Sequence, residues 1–451
     1  MADDRRRSVP KGVIVAAPAS GSGKTTVTLG LLRALSARGR TVRPFKVGPD
    51  YIDPGFHTRA AGTVCANLDP WAMRSGLIGA LIGRSGSDEI VVCEGVMGLF
   101  DGATAHAGST ADVAALTGWP VILVVDAARQ AGSAAALVRG FANHRPGVRV
   151  AGVIFNRVGS DRHRRHVGDA MADLADVPVL GYLPPAPGLS VPSRHLGLVQ
   201  AMEIDDVETM IGAAATLVEK HVDVTALLSR ASSTDALDAD GGSPSAPVPP
   251  PLDPLGQRIA LADDRAFAFR YGHVLDGWRT AGADILPFSP LAGDGLPAGA
   301  DAVYLPGGYP ELHAGAIAAN AAFLGGLRQA ADDGVPIVGE CGGYMVLGQG
   351  LVDADGARHA MAGLLPVETS FAERKLHLGY RRAELLADCP LGAAGTMFRA
   401  HEFHYASVVS EDGEGRMFES TDAFGDPQPA AGHIRGSVCG SFVHLIDRED
   451  G

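Results

Sequence analysis

Short apolar runs alternate with amphipathic stretches along the first half of the chain. Residues 12–17, 41–47, 90–94, 121–126, 148–155 and 177–183 are rich in Val, Ile, Leu and Ala and read as strands. Residues 24–37, 131–143 and 163–174 carry helical spacing between them. Strands apolar on both faces and separated by helices predict a parallel sheet covered by helices. The alternation stops over residues 229–256, where Ser, Ala, Asp, Gly and Pro displace any periodicity. That stretch predicts a linker, semi-extended at its proline run. Beyond it, 258–262, 284–287, 302–305 and 336–340 read as strands and 267–280 and 311–331 as helices. The last stretch, with 437–446, reads as more purely β. The expectation is an α/β protein with domains at 8–228 and 257–448 joined by the linker, and no internal repeat.

Charge and composition narrow the class. Lys and Arg total 38 and Asp and Glu 51, a net charge of -13. A general nucleic-acid binder would show a basic excess. No run approaches the roughly 20 apolar residues of a membrane span. The opening residues, MADDRRRSVPKG, are charged and lack the apolar core of a secretory signal. Cys65, Cys93, Cys341, Cys389 and Cys439 form no Cys-x-x-Cys pair. Such sparse thiols suggest a reduced, cytoplasmic setting.

The first predicted strand runs into APASGSGKTT. Gly23, Lys24 and Thr25 match the end of the phosphate-loop pattern, while Pro18 stands where the first glycine is usual. Gly21, Ser22 and Gly23 let backbone N–H groups curl around phosphates ahead of a helix N-terminus, with Thr26 following in the first turn. Lys24 reaches outer phosphates and Thr25 supplies a hydroxyl for Mg2+. Two acidic segments, KVGPDYIDP and EGVMGLFDG, follow later strands. The carboxyl ends of parallel strands are where α/β sheets bind ligands. Asp50, Asp53 and Glu94 are therefore candidate Mg2+ ligands, direct or through water. Turn and cap roles compete for Asp50, Asp53, Glu94 and Asp101, since Asp and Gly favour turns.

The second motif is IVGECGGY, a strand entering G-x-C-x-G and then a helix. This is the nucleophile-elbow pattern with Cys341 as nucleophile and Gly339 and Gly343 permitting the turn. N–H groups at the turn can hold an oxyanion, and LPGGYPE after another strand offers more. The thiol needs a base. His444, in GSFVHL, competes with His401 and His404 of HEFHY, and spacing alone does not choose among them.

Taken in order, APASGSGKTT, FKVGPDYIDPGFH, CEGVMGLFDG, VPSRHLGL, YLPGGYPE, GECGGYMVLG, HEFHY and GSFVHL cover nearly the whole chain outside the linker and termini. The first half resembles dethiobiotin-synthetase-like P-loop ATPases and the second resembles class I glutamine amidotransferase domains. Together they resemble the cobalamin-pathway family that amidates the a and c carboxylates of hydrogenobyrinate or cobyrinate. The resemblance implies ATP, L-glutamine and the macrocycle as substrates, with Mg2+ alongside ATP. It implies Cys341 as glutaminase nucleophile, activated by His444, and Gly308 and Gly342 as oxyanion donors. It implies that Asn156 reads the adenine, and that Lys46, Asp50, Asp53, Glu94 and Asp101 surround the phosphates, the metal and the activated carboxylate. A homodimer is a family-level expectation. One departure is visible: the wider class carries His-x-Glu, whereas Leu445 and Ile446 follow His444. A Cys–His dyad is the reading that remains.

Chemistry supplies the rest. A carboxylate becomes an acyl donor once ATP phosphorylates it, and ammonia released from glutamine through a Cys341 thioester then displaces phosphate. Free ammonia protonates in bulk water, which calls for a sheltered route. An acidic protein needs local cations for a polycarboxylate, and Tyr51, Arg164, Arg165, Arg194 and His195 are candidates; a solvated helix face is the preferred reading of the run 162–166. Two alternatives stay open: an amidoligase acting on another tetrapyrrole acid such as nickel-sirohydrochlorin, and a P-loop switch protein with a degenerate amidotransferase module.

Overall fold

The computed structural model describes residues 10–86, 88–189, 193–194, 197–198, 200–204, 206–232, 250–411 and 414–449. The chain divides into two compact units, Met1–Trp71 with Ser75–Val248 and Ala72–Arg74 with Pro249–Gly451. Of the stretch read as a linker, residues 233–249 lie outside the described residues. Residues Ala72–Arg74 fall in the second unit, which the sequence reading, with one domain over 8–228, does not anticipate.

The first unit runs β1 (Gly12–Ala16), α1 (Lys24–Ala37), β2 (Val42–Val47), α2 (Asp53–Ala61), β3 (Ala66–Leu68), α3 (Ser75–Gly83), β4 (Ile90–Glu94), α4 (Thr110–Thr117), β5 (Val121–Asp126), α5 (Ser133–Asn143), β6 (Val150–Asn156), α6 (Asp161–Ala170), β7 (Val179–Tyr182), β8 (Ser193–Arg194), β9 (Gly197–Leu198), α7 (Val207–His221) and α8 (Val224–Leu228). Seven strands form one sheet in the order β3-β2-β4-β1-β5-β6-β7, all parallel. All five residues of β1 are buried, as expected of a strand covered on both faces. Register matters more than count: Val15 pairs with Glu94, and Glu94 with Lys46. The carboxyl ends of β1, β4 and β2 therefore sit side by side, each carrying one chemical segment.

The second unit runs β10 (Arg258–Ala262), α9 (Gly272–Thr280), β11 (Asp284–Phe288), β12 (Ala302–Leu305), α10 (Ala314–Ala319), α11 (Ala321–Asp332), β13 (Ile337–Glu340), α12 (Gly342–Leu347), β14 (Gly350–Val352), β15 (Arg358–Ala360), β16 (Val367–Ser370), β17 (His377–Leu385), β18 (Met397–His404), β19 (Ser407–Glu411), β20 (Arg416–Thr421), β21 (Pro427–Arg435), β22 (Val438–Ser441) and β23 (Val443–Arg448). Ten strands form a mixed sheet in the order β11-β10-β12-β13-β22-β21-β20-β17-β18-β23, parallel through β22 and antiparallel beyond. A core of Phe267, Phe288, Phe323, Ile337, Tyr344 and their neighbours packs beside its parallel part.

Three expectations need correction here. The helix expected over 267–280 begins only at Gly272, because Phe269 makes an antiparallel bridge to Gly307 and holds the preceding residues extended. The helix expected over 311–331 is broken: Asn320 caps α11 by accepting a bond from the Phe323 N–H, ending α10. The β stretch read as one over 437–446 is two strands separated at Phe442, with His444 the second residue of β23. In the first unit helices α2, α3, α4, α7 and α8 were not foreseen. Among the described residues no helix is long and apolar enough to cross a membrane.

Candidate functional site

The turn after β1 delivers Gly21, Ser22 and Gly23 to the N-terminus of α1. Gly21 and Gly23 both take positive φ, 78° and 96°, and Gly23 caps the helix in the left-handed conformation. The loop is braced from β6. Asn156 Nδ2 donates to the Ser22 carbonyl at 2.9 Å, and Arg157 Nη2 to the Gly21 carbonyl at 3.1 Å. Asn156 is thus a fastener of the loop, whatever it does for a base. Thr26 donates its hydroxyl to the Leu189 carbonyl at 3.0 Å, which directs it away from a phosphate.

Lys24 is buried and its Nζ donates to the Met97 carbonyl at 2.7 Å. Burial lowers its pKa, against the opposing pull of Glu94. Met97 itself has φ 45°, a strained value for a side-chain-bearing residue. Thr25 Oγ1 donates to Glu94 Oε1 at 2.7 Å. The other oxygen of Glu94 lies 2.6 Å from His57 Nε2, with His57 wholly buried. Burial raises the Glu94 pKa, but His57, Lys46 and Thr25 outweigh it and hold the group ionised.

Lys46 faces two carboxylates, at 3.4 Å from Asp50 Oδ2 and 3.8 Å from Asp53 Oδ2. The two acids are driven apart. Burial pushes Asp50 up, yet Lys46 and the N–H groups of Asp53 and Ile52 bring it below the usual range. Burial, then Asp50 and Glu94, push Asp53 well above it. One acid keeps its charge and the other its proton, the split expected of a working pair. Asp50 fills the turn role, its Oδ1 accepting the Ile52 and Asp53 N–H groups at the entry to α2, while its Oδ2 faces the Lys46 ammonium. Asp101 is exposed and closes a turn by accepting the Gly98 N–H at 3.0 Å.

Among candidate macrocycle contacts, Tyr51 is half-buried before α2. Arg164 and Arg165 lie exposed on α6, and Arg164 sits 5.2 Å above the Tyr182 ring, a cation–π contact. Arg194 falls in the short strand β8, and His195 lies outside the described residues.

In the second unit Cys341 stands between β13 and α12 with φ 47° and ψ −102°. Such backbone strain, about 1–3 kcal/mol for a non-glycine residue, concentrates at functional turns. Gly339 and Gly343 are needed for a reason other than a turn. A Cβ on Gly343 would stand 1.9 Å from the Leu305 carbonyl oxygen, so the start of α12 lies directly on β12. The N–H groups of Gly308 and Gly342 both bear on the thiol and oppose the strong upward push of its burial. These are the two donors expected at an oxyanion.

A Cβ on Gly307 would meet His444 Cε1 at 2.5 Å and Cys341 Cβ at 3.2 Å, so ring and thiol flank one glycine. Of the three histidines in contention, His444 is the one that shares Gly307 with Cys341. His401 pairs with it across β18 and β23 and stacks on its ring at 5.1 Å. His404 bonds Glu402 at 2.8 Å and the Ala406 carbonyl at 3.0 Å. Burial, then His401 and His404, hold His444 well below its usual pKa, so the ring is neutral and able to take a proton. Asp447, the next acid along the strand, is spoken for: its Oδ2 accepts the Arg74 backbone N–H at 2.9 Å, and its Oδ1 accepts Arg74 Nη2 at 2.9 Å.

Two site residues escape sequence reasoning. His57 lies one helical turn after Asp53 in FHT, and that i, i+4 spacing was the available signal. Glu340 precedes the nucleophile and looks like an ordinary elbow residue. Its carboxylate nevertheless accepts the Tyr304 hydroxyl at 2.9 Å and the Leu445 N–H at 3.3 Å, beside His444.

Comparison with known proteins agrees with this division. Residues 13–199 match the CobQ/CobB/MinD/ParA nucleotide binding domain and 258–450 the CobB/CobQ-like glutamine amidotransferase domain. A Brucella anthropi protein named hydrogenobyrinate a,c-diamide synthase is 54% identical over 440 residues, covering 97% of this chain and 98% of the relative. Proteins of the same name from Rhizobium meliloti and Mesorhizobium japonicum are 52% and 50% identical over 437 and 442 residues, each covering 97% of this chain and 99% of the relative.

Proposed function

The chain belongs to the hydrogenobyrinate a,c-diamide synthase family, and from that premise we propose that it converts the a and c carboxylates of hydrogenobyrinate to amides with ATP and glutamine. The observation that carries this reading is the presence in one chain of a phosphate loop beside a split carboxylate pair and a thiol elbow beside a neutral histidine. Relatives of near-equal length bear the cobalt-free substrate in their name, which favours hydrogenobyrinate over cobyrinate and over another tetrapyrrole acid.

Residues 8–228 are assigned the ATP-dependent half and 257–448 the glutaminase, with 229–256 linking them. In the first half the N–H groups of Gly21, Ser22 and Gly23 cradle the phosphates, and Lys24 moves from the Met97 carbonyl to an outer phosphate oxygen. A substrate carboxylate attacks the γ-phosphorus, the bond to ADP breaks, and an acyl phosphate forms. Lys46 and Asp101 border this region. Thr25 and Glu94 already stand 2.7 Å apart, and together with Asp50 they would supply the hard-oxygen donors that suit Mg2+. That ion, when bound, would neutralise phosphate charge. Asn156, Tyr51, Arg164, Arg165, Arg194 and His195 are assigned to nucleotide or macrocycle only at the level of this proposal.

In the second half His444 takes the Cys341 proton, and the thiolate attacks the side-chain carbonyl of glutamine. Gly308 and Gly342 hold the developing oxyanion. The proton passes to the departing ammonia, and water then hydrolyses the thioester to glutamate. Ammonia displaces phosphate from the acyl phosphate to give the amide. The setting is taken to be the cytoplasm; a homodimer stays a family-level expectation.

The test is product mass from purified protein with ATP, Mg2+, glutamine and hydrogenobyrinic or cobyrinic acid. Two carboxyl-to-amide exchanges on hydrogenobyrinic acid are expected. Conversion of cobyrinic acid alone would move the assignment to the cobalt-loaded macrocycle. Consumption of ATP and glutamine with neither macrocycle changed would overturn the substrate.

A further inference from the structure

The glutaminase lacks the carboxylate that its wider class places two residues after the histidine. Ile446 occupies that position. Asp447, one residue further, is wholly buried and bonded to Arg74 through both oxygens. The strand that carries His444 therefore offers no acid to its ring.

A carboxylate arrives instead from the residue before the nucleophile. Glu340 Oε2 lies 3.9 Å from His444 Nδ1, with both side chains buried. That oxygen is fixed by the Tyr304 hydroxyl at 2.9 Å. The other oxygen accepts the N–H of Leu445, the residue next to His444, at 3.3 Å. The carboxylate is thus tied to the backbone of β23 where the catalytic ring leaves it. We infer that Glu340 is the positioning carboxylate of the glutaminase, orienting His444 through Nδ1 and balancing the imidazolium formed when the ring takes the Cys341 proton. This rests on the amidotransferase reading of the second unit.

The physical case has three parts. A neutral imidazole buried among His401, His404 and Phe403 gains a charge during the reaction, and a charge in that setting needs a counter-charge. The Phe403 carbonyl lies against the ring and 3.7 Å from Cys341 Sγ, but a dipole alone is a weak partner. Burial lifts the Glu340 carboxyl to about 7, against the pull of Tyr304 and Leu445, so its charge changes within the working range. Among the described residues the titratable and charged groups around the pair include Cys341, Cys439, Tyr304, Tyr271, His401, His404, Glu402 and, beyond them, Arg270, Arg381 and Glu311. Glu402 is bonded to His404 and Arg381, leaving Glu340 as the acid directed to Nδ1.

The experiment compares wild type with Glu340→Gln and Glu340→Asp. Glutamine hydrolysis is followed as kcat and KM across pH, alkylation of Cys341 by iodoacetamide is timed at each pH, ammonia-dependent amidation runs in parallel to report the ATP-dependent half, and thermal unfolding of each variant reports folding of the glutaminase unit. Glu340→Gln should cut glutaminase kcat by at least about 100-fold, within the loss of up to about 10⁴ that follows when a triad carboxylate becomes an amide. KM for glutamine should stay within a few-fold, the alkylation profile should change shape, and Glu340→Asp should recover part of kcat. The fall should far exceed any fall in ammonia-dependent synthesis. Glutaminase kcat within about 3-fold of wild type, or equal losses with glutamine and ammonia, would overturn the role. Failure of wild type to hydrolyse glutamine would instead overturn the reading beneath it.

Discussion

His57 Nε2 lies 2.6 Å from Glu94 Oε2 in the interior of the first unit, while Thr25 holds the opposite oxygen of the same carboxylate. Glu94 is thereby aimed and kept ionised, as its proposed role as a Mg2+ ligand requires. Partners one step removed from a metal ligand commonly contribute 10–100-fold to affinity or activity. His57→Gln should lower ammonia-driven amidation by about that factor and raise the Mg2+ needed for half-maximal rate. A Mg2+ titration of initial rates checks this; an unchanged curve would reduce His57 to a packing residue.

Cys341→Ser should abolish glutamine-dependent amidation while retaining most of the rate with added ammonia. The hydroxyl is the poorer nucleophile, and the ATP-dependent half has no use for the thiol. Parallel assays with the two nitrogen sources decide the matter. Loss of both would contradict the division of labour between the units.

Two glycines of the second unit should fail differently. In Gly307→Ala the new methyl meets His444 Cε1 at 2.5 Å, the edge of a side chain. Its main effect should be a fall in glutaminase kcat of at least tenfold with little change in melting temperature. In Gly343→Ala the methyl meets the Leu305 carbonyl oxygen at 1.9 Å, which is backbone. Overpacking there should cost about 1–3 kcal/mol or more. Thermal unfolding alongside glutaminase kinetics separates the two.

Buried histidines set the acid limit of stability. Burial, with Arg381, lowers His401 to about 3. The unfolded chain protonates this group near ~6.5, whereas the folded chain does so only near 3. Between those values the unfolded state binds more protons, so stability falls as pH is lowered. Glu340 has the opposite sign: with a folded value of about 7, it retains a proton that the unfolded chain releases above ~4.3, and it costs stability as pH rises through that window. His401→Gln should flatten the acid limb by up to about 1.4 kcal/mol per pH unit. Urea unfolding at several pH values between 4 and 6.5 measures that slope.

What the sequence reveals is what is local. The phosphate loop and the thiol elbow are contiguous, and their glycines, lysine and cysteine carry their chemistry within ten residues. The six apolar strands of the first unit are legible because a strand buried on both faces is apolar at every position. What stays hidden depends on pairing across the fold. Residues 267–271 have helical spacing, yet Phe269 is needed extended beside Gly307. Gly343 is demanded by a neighbouring strand rather than by its own turn. His57 and Glu340 lie within segments whose pattern is legible, yet their roles stay hidden because their partners, Glu94 and His444, are 37 and 104 positions away in the numbering. Equally, Arg74 settles the standing of Asp447 from a distance of 373 positions.

Lys24 already lies out of water, its ammonium resting on the Met97 carbonyl. On the proposed role of Lys24, a nucleotide entering the loop would exchange one oxygen for another at this lysine, the dehydration of the cation having been met in folding rather than in binding.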